Sequence, residues 1–446
     1  MHGGRRNVTM IAVAAATAIG AIASANPAAA AVTWHSSVPQ LQHIIIIMQE
    51  NRSFDSYFGT YPGANGIPMR NGKPTVCNPD PNTGKCVAPY LDFHDINQGG
   101  PHDAASARTD IDGGKMDGFI ATAKTFSSPD SVMAYHDGSM LTNYWTYAQQ
   151  YVLQDDMFAP SLAYSLPEHI FLVSNWSAYC PLPSKPSTCM SSFVPTEPVT
   201  NTYGWTDITW LLHAAHVPWR YFVFGGQSGD VINPDEDDGV HGIYVHQDAK
   251  IGSQWNPLPA FTDVVQDGQL DNIIDGSYFY KDAAAGTLPA VSWVIPEGTY
   301  SEHPPNSIKK GMAYVTGLVN AVMSGPDWNT SAIFIAWDDW GGLYDHVAPP
   351  IVDWGGYGIR VPGLLISPWA QHNVVDHQLL SFDAYNKLIE DLFLNSQRLD
   401  PTSDGRPDPR PDVREAYPPL GNLLTEFDFS QRPRPPMLLR NAIIHP

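Results

Sequence analysis

The chain has 446 residues, of which 43% are hydrophobic and 11% aromatic, so it can bury a large core in one or two domains. Charged residues make up 15% and the formal net charge is −21. The low charged fraction excludes a chain that is a disordered acidic tail. A surface this acidic repels nucleic acid and anionic lipid, and it favours small or zwitterionic ligands.

Residues 1–30 have the pattern of a secretory signal peptide. Arg5 and Arg6 form a basic start, "MIAVAAATAIGAIASA" is a short apolar stretch, and "ANPAAAA" supplies small residues for cleavage near Ala30 or Ala31. We therefore expect an exported protein, periplasmic or extracellular, that uses the Sec or the twin-arginine route. A membrane anchor is the alternative, but the apolar run is short for a bilayer crossing and no later segment has transmembrane character. Without the leader, 22 basic and 45 acidic side chains remain, and the net charge becomes −23.

The first element of the mature chain is predicted over residues 42–48, which are apolar from Ile44 to Met48, and Glu50 and Asn51 follow after Gln49. A run that is apolar at every position predicts a central strand covered on both faces. Charged and amide side chains at the end of such a strand are costly to bury, so they indicate a site. The alternative is a structural role in which Asn51 caps a helix over "RSFDSYF".

Four cysteines form two local pairs, Cys77 with Cys86 and Cys180 with Cys189, each bracketing a polar loop that contains proline. In an exported protein this pattern favours two disulfides that close loops. Zinc binding is the alternative, but neither loop contains a histidine and the spacing does not match a zinc knuckle.

"SLPEHIFLVS", residues 165–174, predicts the start of a helix. Ser165 and Glu168 fit a capping box, with Ser165 at the N-cap and proline in the first turn. A helix N-terminus also suits a phosphate, and a hydroxyl held there beside a metal can act as a nucleophile. The cap alone explains the local pattern, so both interpretations stay open here.

The rest of the chain alternates apolar strands with helices, which predicts an α/β protein on a largely parallel sheet. Further central strands are expected at 221–224, 290–295, 331–337 and 361–368, and helices at 207–216, 308–324 and 382–394. We expect a single catalytic domain over 31–446 with large loop insertions, whose Pro-rich segment from about 395 to 446 wraps the surface. Ligands of such sheets bind beyond the carboxyl ends of the strands.

Asp338 and Asp339 follow the strand predicted at 331–337, as Glu50 and Asn51 follow the first strand. Adjacent carboxylates at the mouth of a buried strand repel each other unless a cation or protons neutralise them. The four residues together predict an oxygen-rich site for one divalent metal, with calcium, magnesium or manganese favoured and zinc or iron as alternatives. A solvated turn is the alternative for the aspartates.

Three histidines lie in loops where they could complete a site: His102, His303 and His346. A single loop histidine is usually structural. His303 is the strongest candidate because it follows a predicted core strand, at 290–295.

Five blocks, taken together, resemble the bacterial phosphoesterase family that contains phosphatidylcholine-type phospholipases C, related acid phosphatases and the plant non-specific phospholipases C. The blocks are "ENRSFD" (50–55), "GGKMDGF" (113–119), "SLPEHIFLVS" (165–174), "WDDWGGLYDHVAPP" (337–350) and "IRVPGLLISPW" (359–369). The resemblance runs from about residue 40 to 395. It implies an alkaline-phosphatase-like three-layer α/β fold and hydrolysis of phosphoesters.

Carried over by position, the resemblance places the metal on Glu50, Asn51, Asp338 and Asp339, and it makes Ser165 the nucleophile. His102 and His303 match active-site histidines, and His346 lies in the signature without a fixed role. Two departures concern headgroup preference: Trp340 stands where many members have histidine, and Glu302 stands where many have the first of two histidines.

The predicted activity is a phospholipase C-like, metal-dependent hydrolysis through a phosphoserine, on a phospholipid headgroup or a small phosphate ester. An acid phosphatase acting on small monoesters is the first alternative. A glycosidase using Asp338 and Asp339 has poor geometry, because neighbours on a strand end point to opposite faces. The alternative from another class is an exported binding protein that holds a ligand with the loop aromatics Trp205, Trp210, Trp219 and Trp255.

Overall fold

The structure is a computed structural model that describes residues 1–4, 34–227 and 246–443. Apart from residues 1–4, the predicted signal peptide lies outside the described residues. None of the helices in the described ranges combines the length and apolarity that a membrane crossing needs.

The core of the molecule is an eight-stranded sheet in the spatial order β4-β3-β5-β1-β6-β7-β2-β8. In chain order its strands are β1 (His43–Gln49), β2 (Val152–Gln154), β3 (Trp219–Val223), β4 (Ile273–Asp275), β5 (Val291–Ile295), β6 (Ser331–Trp337), β7 (Gly363–Ile366) and β8 (Val374–Asp376). The five strands predicted from apolar runs are all present. In the described residues, five further two-stranded sheets of short strands lie outside the central sheet.

Seven of the eight strands run in one direction, and β7 runs against them. The expectation that 361–368 is a parallel strand is therefore wrong in direction, since β7 pairs antiparallel with both β6 and β2. An apolar run reports burial on both faces and carries no information on strand direction. At the centre, β1 lies parallel between β5 and β6, so the carboxyl ends of these three strands meet at one edge.

Ten α-helices lie in the described ranges, and they pack into two groups. They are α1 (Phe54–Phe58), α2 (Ala104–Ile111), α3 (Phe119–Thr122), α4 (Thr142–Gln150), α5 (Ser165–Ser174), α6 (Ile208–Ala214), α7 (Thr262–Gln266), α8 (Ser277–Ala285), α9 (Ile308–Ser324) and α10 (Phe382–Phe393). Helix α5 contacts α6 and α10, whereas α9 contacts α4 and α8. Because β6 is buried at every position and β1 at every position after His43, both sheet faces are covered, and the predicted α/β sandwich is confirmed.

Two loop disulfides are present as predicted, Cys77–Cys86 and Cys180–Cys189. The described part of the C-terminal segment, 395–443, contains short 3₁₀ turns and no α-helix or strand. Two of its arginines anchor helix α5. Arg410 donates to the carbonyl of Ser174 at 3.1 Å, and the Arg414 guanidinium lies 4.7 Å from the ring centre of Phe171.

Candidate active site

The two predicted strand ends meet at the carboxyl edge of the sheet. The Asp338 amide donates to the carbonyl of Gln49 at 3.0 Å, which continues the β1–β6 ladder by one residue. The Asn51 amide donates to Asp338 Oδ1 at 3.1 Å. Glu50, Asn51, Asp338 and Asp339 are all fully buried, so two segments almost 290 positions apart in the sequence form one polar centre.

Asn51 links the two segments through its side chain as well. Its Nδ2 donates to Asp339 Oδ2 at 2.7 Å, and the Gly341 amide donates to the other Asp339 oxygen at 2.7 Å. Gly341 has φ +60°, and a Cβ there would lie 2.6 Å from the Asn51 carbonyl oxygen. Glycine is therefore required for this close approach of two backbones.

Ser165 is the first residue of α5, and its hydroxyl donates to Glu50 Oε2 at 2.9 Å. The predicted capping box is wrong. The N-cap is Tyr164, and the Glu168 carboxylate accepts hydrogen bonds from the amide and hydroxyl of Ser161, at 3.1 and 2.6 Å. The preceding loop folds back over the first turn and takes up Glu168, while the Ser165 hydroxyl turns toward Glu50.

His169, one helical turn after Ser165, is a site residue that the sequence interpretation missed. Its Nε2 lies 2.9 Å from Glu50 Oε1 and 4.0 Å from Asp338 Oδ2, and its side chain is fully buried. One donor atom from each of Glu50, His169 and Asp338 lies within 4.8 Å of the others. We call these three residues the Glu50 cluster. The i, i+4 spacing of Ser165 and His169 places both on one helix face and is the signal that could have found it.

His102 and His303 lie side by side, with ring centres 5.5 Å apart. His102 Nδ1 is 2.9 Å from the Gly100 carbonyl oxygen, and His303 Nδ1 is 2.6 Å from the Pro304 carbonyl oxygen. A carbonyl can only accept, so each Nδ1 carries the hydrogen. The Gly100 amide also donates to the Gly341 carbonyl at 2.9 Å, which joins the His102 loop to the turn after Asp339.

Glu302 buttresses the loop that ends at His303. Its carboxylate accepts hydrogen bonds from Tyr57 and Tyr144, both at 2.6 Å, and its backbone has φ +71°. Arg52 donates to the Glu302 carbonyl at 2.5 Å. Burial raises the pKa of Glu302 to about 7, against the opposing effect of the tyrosine hydroxyls and Arg52. The left-handed backbone at Glu302 is thus held from both ends by buried polar groups.

Trp340, the other departure from the family pattern, also makes a polar contact. Its indole donates to Asp110 Oδ2 at 2.9 Å, and its ring centre is 6.3 Å from that of His102. Burial raises the pKa of Asp110 to about 8, although hydrogen bonds from Thr122 and Trp340 lower it. The indole therefore fixes the turn after Asp339 without adding an ionisable group.

His346 belongs to a second buried cluster, which we call the Arg360 cluster: Asp55, Asp345, His346 and Arg360. His346 Nδ1 lies 2.7 Å from Asp55 Oδ2, and Arg360 Nε donates to Asp345 Oδ1 at 3.0 Å. Burial lowers the pKa of His346, but the hydrogen bond and charge of Asp55 outweigh it, and the net shift is upward. The contacts of His346 connect it to Asp55 and Arg360 rather than to Ser165.

The residues at the strand ends fit a cation. The side-chain carbonyl oxygen of Asn51 is buried and has no hydrogen-bond partner among the described atoms. Burial raises the pKa of Glu168 well above its usual range, and the negative charges of Asp339 and Asp338 raise it further. An orphaned oxygen acceptor beside accumulated carboxylates is the environment that a divalent cation neutralises.

Two cavities share Arg108 in their walls. The first, about 310 Å³, is lined by residues that include Asp103 and Tyr164, the neighbours of His102 and Ser165. The second, about 540 Å³, is larger and more apolar, with Leu162, Ile351 and Trp354 in its wall. Of the aromatics considered as a binding surface, Trp205, Trp219 and Trp255 are instead buried in the core.

Comparison with known proteins gives consistent relatives. The model of the Phosphoesterase family matches residues 41–394. The chain is 26% identical over 402 residues to a non-hemolytic phospholipase C of Pseudomonas aeruginosa, covering 80% of this chain and 55% of that protein. It is 23% identical over 452 residues to phospholipase C A of Mycobacterium tuberculosis, covering 91% and 80%. The chain thus spans about half the length of the Pseudomonas relative.

Among solved structures, the chain is similar to a protein of the alkaline phosphatase superfamily from Vibrio parahaemolyticus. The TM-score is 0.36 at 10% sequence identity, and the match covers 80% of this chain and 67% of the other.

Proposed function

The chain belongs to the phosphoesterase family, and on that premise we propose that it is an exported, metal-dependent phosphoester hydrolase of the phospholipase C type that acts through a phosphoserine. The observation that carries the proposal is the buried hydrogen bond from the Ser165 hydroxyl to Glu50 Oε2, 2.9 Å long, at the carboxyl edge of the sheet. A serine at the first position of a helix and bonded to a carboxylate has the setting of an activated nucleophile.

Residues Glu50, Asn51, Asp338 and Asp339 would hold the divalent cation. When bound, it supplies positive charge that stabilises the phosphoryl oxygens and favours the ionised form of the Ser165 hydroxyl. The support for this set is the convergence of both segments and the orphaned Asn51 oxygen.

In the proposed reaction, Ser165 Oγ attacks phosphorus while the bond to the leaving oxygen breaks. Glu50 accepts the hydroxyl hydrogen bond and is the acceptor that the site offers for this proton. The positive end of the α5 dipole lies beside the transferred group, because Ser165 begins that helix. Water then hydrolyses the phosphoserine and restores the hydroxyl.

His303 or His102, in its imidazolium form, is proposed to give the Nε2 proton to the leaving alkoxide. Each ring donates through Nδ1 to a backbone carbonyl, which fixes the tautomer and orients Nε2 for proton exchange. The hydrogen bonds of Glu302 with Tyr57, Tyr144 and Arg52 are proposed to fix the position of His303. For His346 we propose a structural role in the Arg360 cluster.

The substrate class follows from the relatives and from the cavities. Proteins named phospholipase C are relatives that the chain matches. An apolar cavity shares Arg108 with a second cavity, whose wall includes Tyr164, the residue before Ser165. This combination suits a phosphodiester with an apolar alcohol portion. Hydrolysis of small monoesters is the second candidate, and rates on p-nitrophenyl phosphorylcholine and p-nitrophenyl phosphate measured side by side decide between them.

Export is supported by the two disulfides, which persist in oxidising compartments. The acidic surface supports a substrate other than nucleic acid.

The nucleophile is tested by Ser165→Ala. We expect turnover to fall by roughly four orders of magnitude, as for other covalent nucleophiles, with thermal stability retained. Ser174→Ala is the matched control, because Ser174 is a buried serine on the same helix whose hydroxyl bonds to the Ile170 carbonyl. Rapid acid quenching of the wild-type reaction should trap phosphate on Ser165, detectable by mass spectrometry. Near-normal turnover of Ser165→Ala would refute the assignment.

A further inference from the structure

We propose that His169 supplies a nitrogen ligand to the cation of the Glu50 cluster, so that the site selects a transition-metal ion of the iron, nickel, copper or zinc class over magnesium and calcium. The inference rests on the proposed function only in that the cation is the one this site would hold. It changes the donor set from oxygen alone, as the sequence predicted, to mixed oxygen and nitrogen.

The spacing of the donor atoms in the Glu50 cluster fits a small metal ion. His169 Nε2 lies 2.9 Å from Glu50 Oε1 and 4.0 Å from Asp338 Oδ2. Metal–ligand bonds of about 2.1 Å place neighbouring donors about 3.0 Å apart at right angles and opposite donors about 4.2 Å apart. The longer bonds of calcium would require about 3.4 and 4.8 Å. The observed distances match a small ion with His169 beside Glu50 and nearly opposite Asp338.

The chemical types of the donor atoms favour a transition metal. Imidazole nitrogen is a preferred ligand of zinc, copper, iron and nickel, whereas calcium and magnesium take oxygen ligands. All three side chains of the Glu50 cluster are fully buried. A neutral histidine can bind a cation there, whereas a protonated one has no nitrogen lone pair to offer.

The backbone of α5 fixes the position of His169 relative to Ser165. His169 lies four residues after Ser165 in α5, so one rigid helix presents the nucleophile and the nitrogen donor on the same face. The last turn of that helix is anchored by Arg410 and Arg414. A ligand fixed in this way keeps its donor at a set distance from the serine oxygen.

The competing interpretation is an ion pair, in which His169 carries a proton and neutralises Glu50 without touching the metal. The two interpretations differ in an observable. A ligand leaves the spectrum of a nitrogen donor on the bound ion, and its removal weakens transition metals selectively. An ion pair leaves no such spectrum, and its removal does not discriminate between metals.

The experiment uses the full mature chain, stripped with chelator and titrated separately with Mn²⁺, Zn²⁺, Mg²⁺ and Ca²⁺. We expect wild type to bind Zn²⁺ more tightly than Mg²⁺ and Ca²⁺, and His169→Gln to lose at least about tenfold in Zn²⁺ affinity with little change for Mg²⁺. His377→Gln is the control, because His377 also lies 2.8 Å from a carboxylate, that of Asp155, but in a half-exposed pair. It should leave all four affinities unchanged.

Pulsed electron paramagnetic resonance of the Mn²⁺-loaded protein adds a readout that does not depend on activity. Nitrogen coupling should be present in wild type and in His377→Gln, and absent in His169→Gln. Nitrogen coupling that survives in His169→Gln, or a wild-type preference for Ca²⁺ or Mg²⁺, would overturn the inference. This measurement uses no substrate, so its result is separate from the test of the proposed function. If Ser165→Ala is inactive and the Mn²⁺-loaded wild type shows no nitrogen coupling, the role of His169 as a ligand is refuted and the proposed function stands.

Discussion

The Glu50 cluster and the Arg360 cluster each contain two buried carboxylates and one histidine. They differ in where the positive charge comes from. Arg360 contacts both carboxylates of its cluster, Asp345 at 3.0 Å and Asp55 at 3.3 Å, and is fully buried. In the Glu50 cluster, His169 Nε2 lies 2.9 Å from Glu50 Oε1 and 4.0 Å from Asp338 Oδ2. We therefore propose a structural role for the cluster with a permanent internal cation and a metal-binding role for the other.

The surroundings of each cluster support the same division. Arg360 also donates to the backbone carbonyls of Asn65 and Asp155, at 2.8 and 2.7 Å, so its hydrogen-bonding capacity is used to join loops. Beside the Glu50 cluster, the Asn51 side-chain oxygen is buried without a hydrogen-bond partner among the described atoms. Two clusters of acidic residues with similar spacing can therefore differ in whether they are suited to a metal. The deciding feature is whether a side chain of the protein already supplies the compensating positive charge.

The largest effect is expected from Asp338→Asn in the Glu50 cluster. Loss of one carboxylate should remove the cation and lower the hydrolysis rate by at least about 100-fold. Stability of the metal-free protein should hold or increase, because the change relieves repulsion between buried carboxylates. Elemental analysis and a urea unfolding curve measure the two quantities on the same sample.

The counterpart of that variant is Asp345→Asn in the Arg360 cluster. It should keep the cation while losing stability, because it breaks a buried ion pair. A protein that retained its metal with Asp338→Asn, or lost it with Asp345→Asn, would remove the distinction between the two clusters.

The next effect is expected from Arg360→Met. Removing the arginine leaves Asp55 and Asp345 buried with less compensation, and it should lower the free energy of unfolding by about 3–5 kcal/mol. Metal content should be unchanged in the folded fraction. Arg220→Met is the control, since Arg220 pairs with Asp282 near the surface and such pairs contribute about 0–1 kcal/mol. A loss below 1 kcal/mol for Arg360→Met would mean that the cluster is not structural.

The sequence predicted the strands of this sheet better than their directions. Strands β1 and β6 are apolar at nearly every position, and burial on both faces accounts for that pattern. The reversed direction of β7 depends on its pairing with β2, a three-residue strand too short to show a period. Strand direction is thus decided by long-range contacts that local pattern does not contain.

The same limit applies to the site. Glu50 and Asp338 could be found because a charge at the end of an apolar strand is unusual in any fold. His169 stands in the helical run "EHIFLVS", where a histidine is usually packed in the core, and its i, i+4 spacing from Ser165 is the local signal that points to the site. The capping box at Ser165 and Glu168 has the right spacing, but tertiary partners, Glu50 and Ser161, compete for both side chains.

The smallest effect is expected from His346→Gln, and its dependence on pH is the informative part. The pKa of His346 is raised overall, because the hydrogen bond and charge of Asp55 outweigh burial and Arg360. A histidine with a raised pKa contributes stability that is complete below its unfolded value of about 6.5 and is lost as the pH rises through the folded value. The variant should therefore be less stable than wild type by roughly 1 kcal/mol at pH 5.5, and the deficit should shrink toward pH 9. Urea unfolding at several pH values measures it. His377→Gln controls for a histidine that is largely exposed, with 60% of its side chain accessible. A deficit that grew with pH would mean that folding lowers the pKa of His346, and that Asp55 does not stabilise its protonated form.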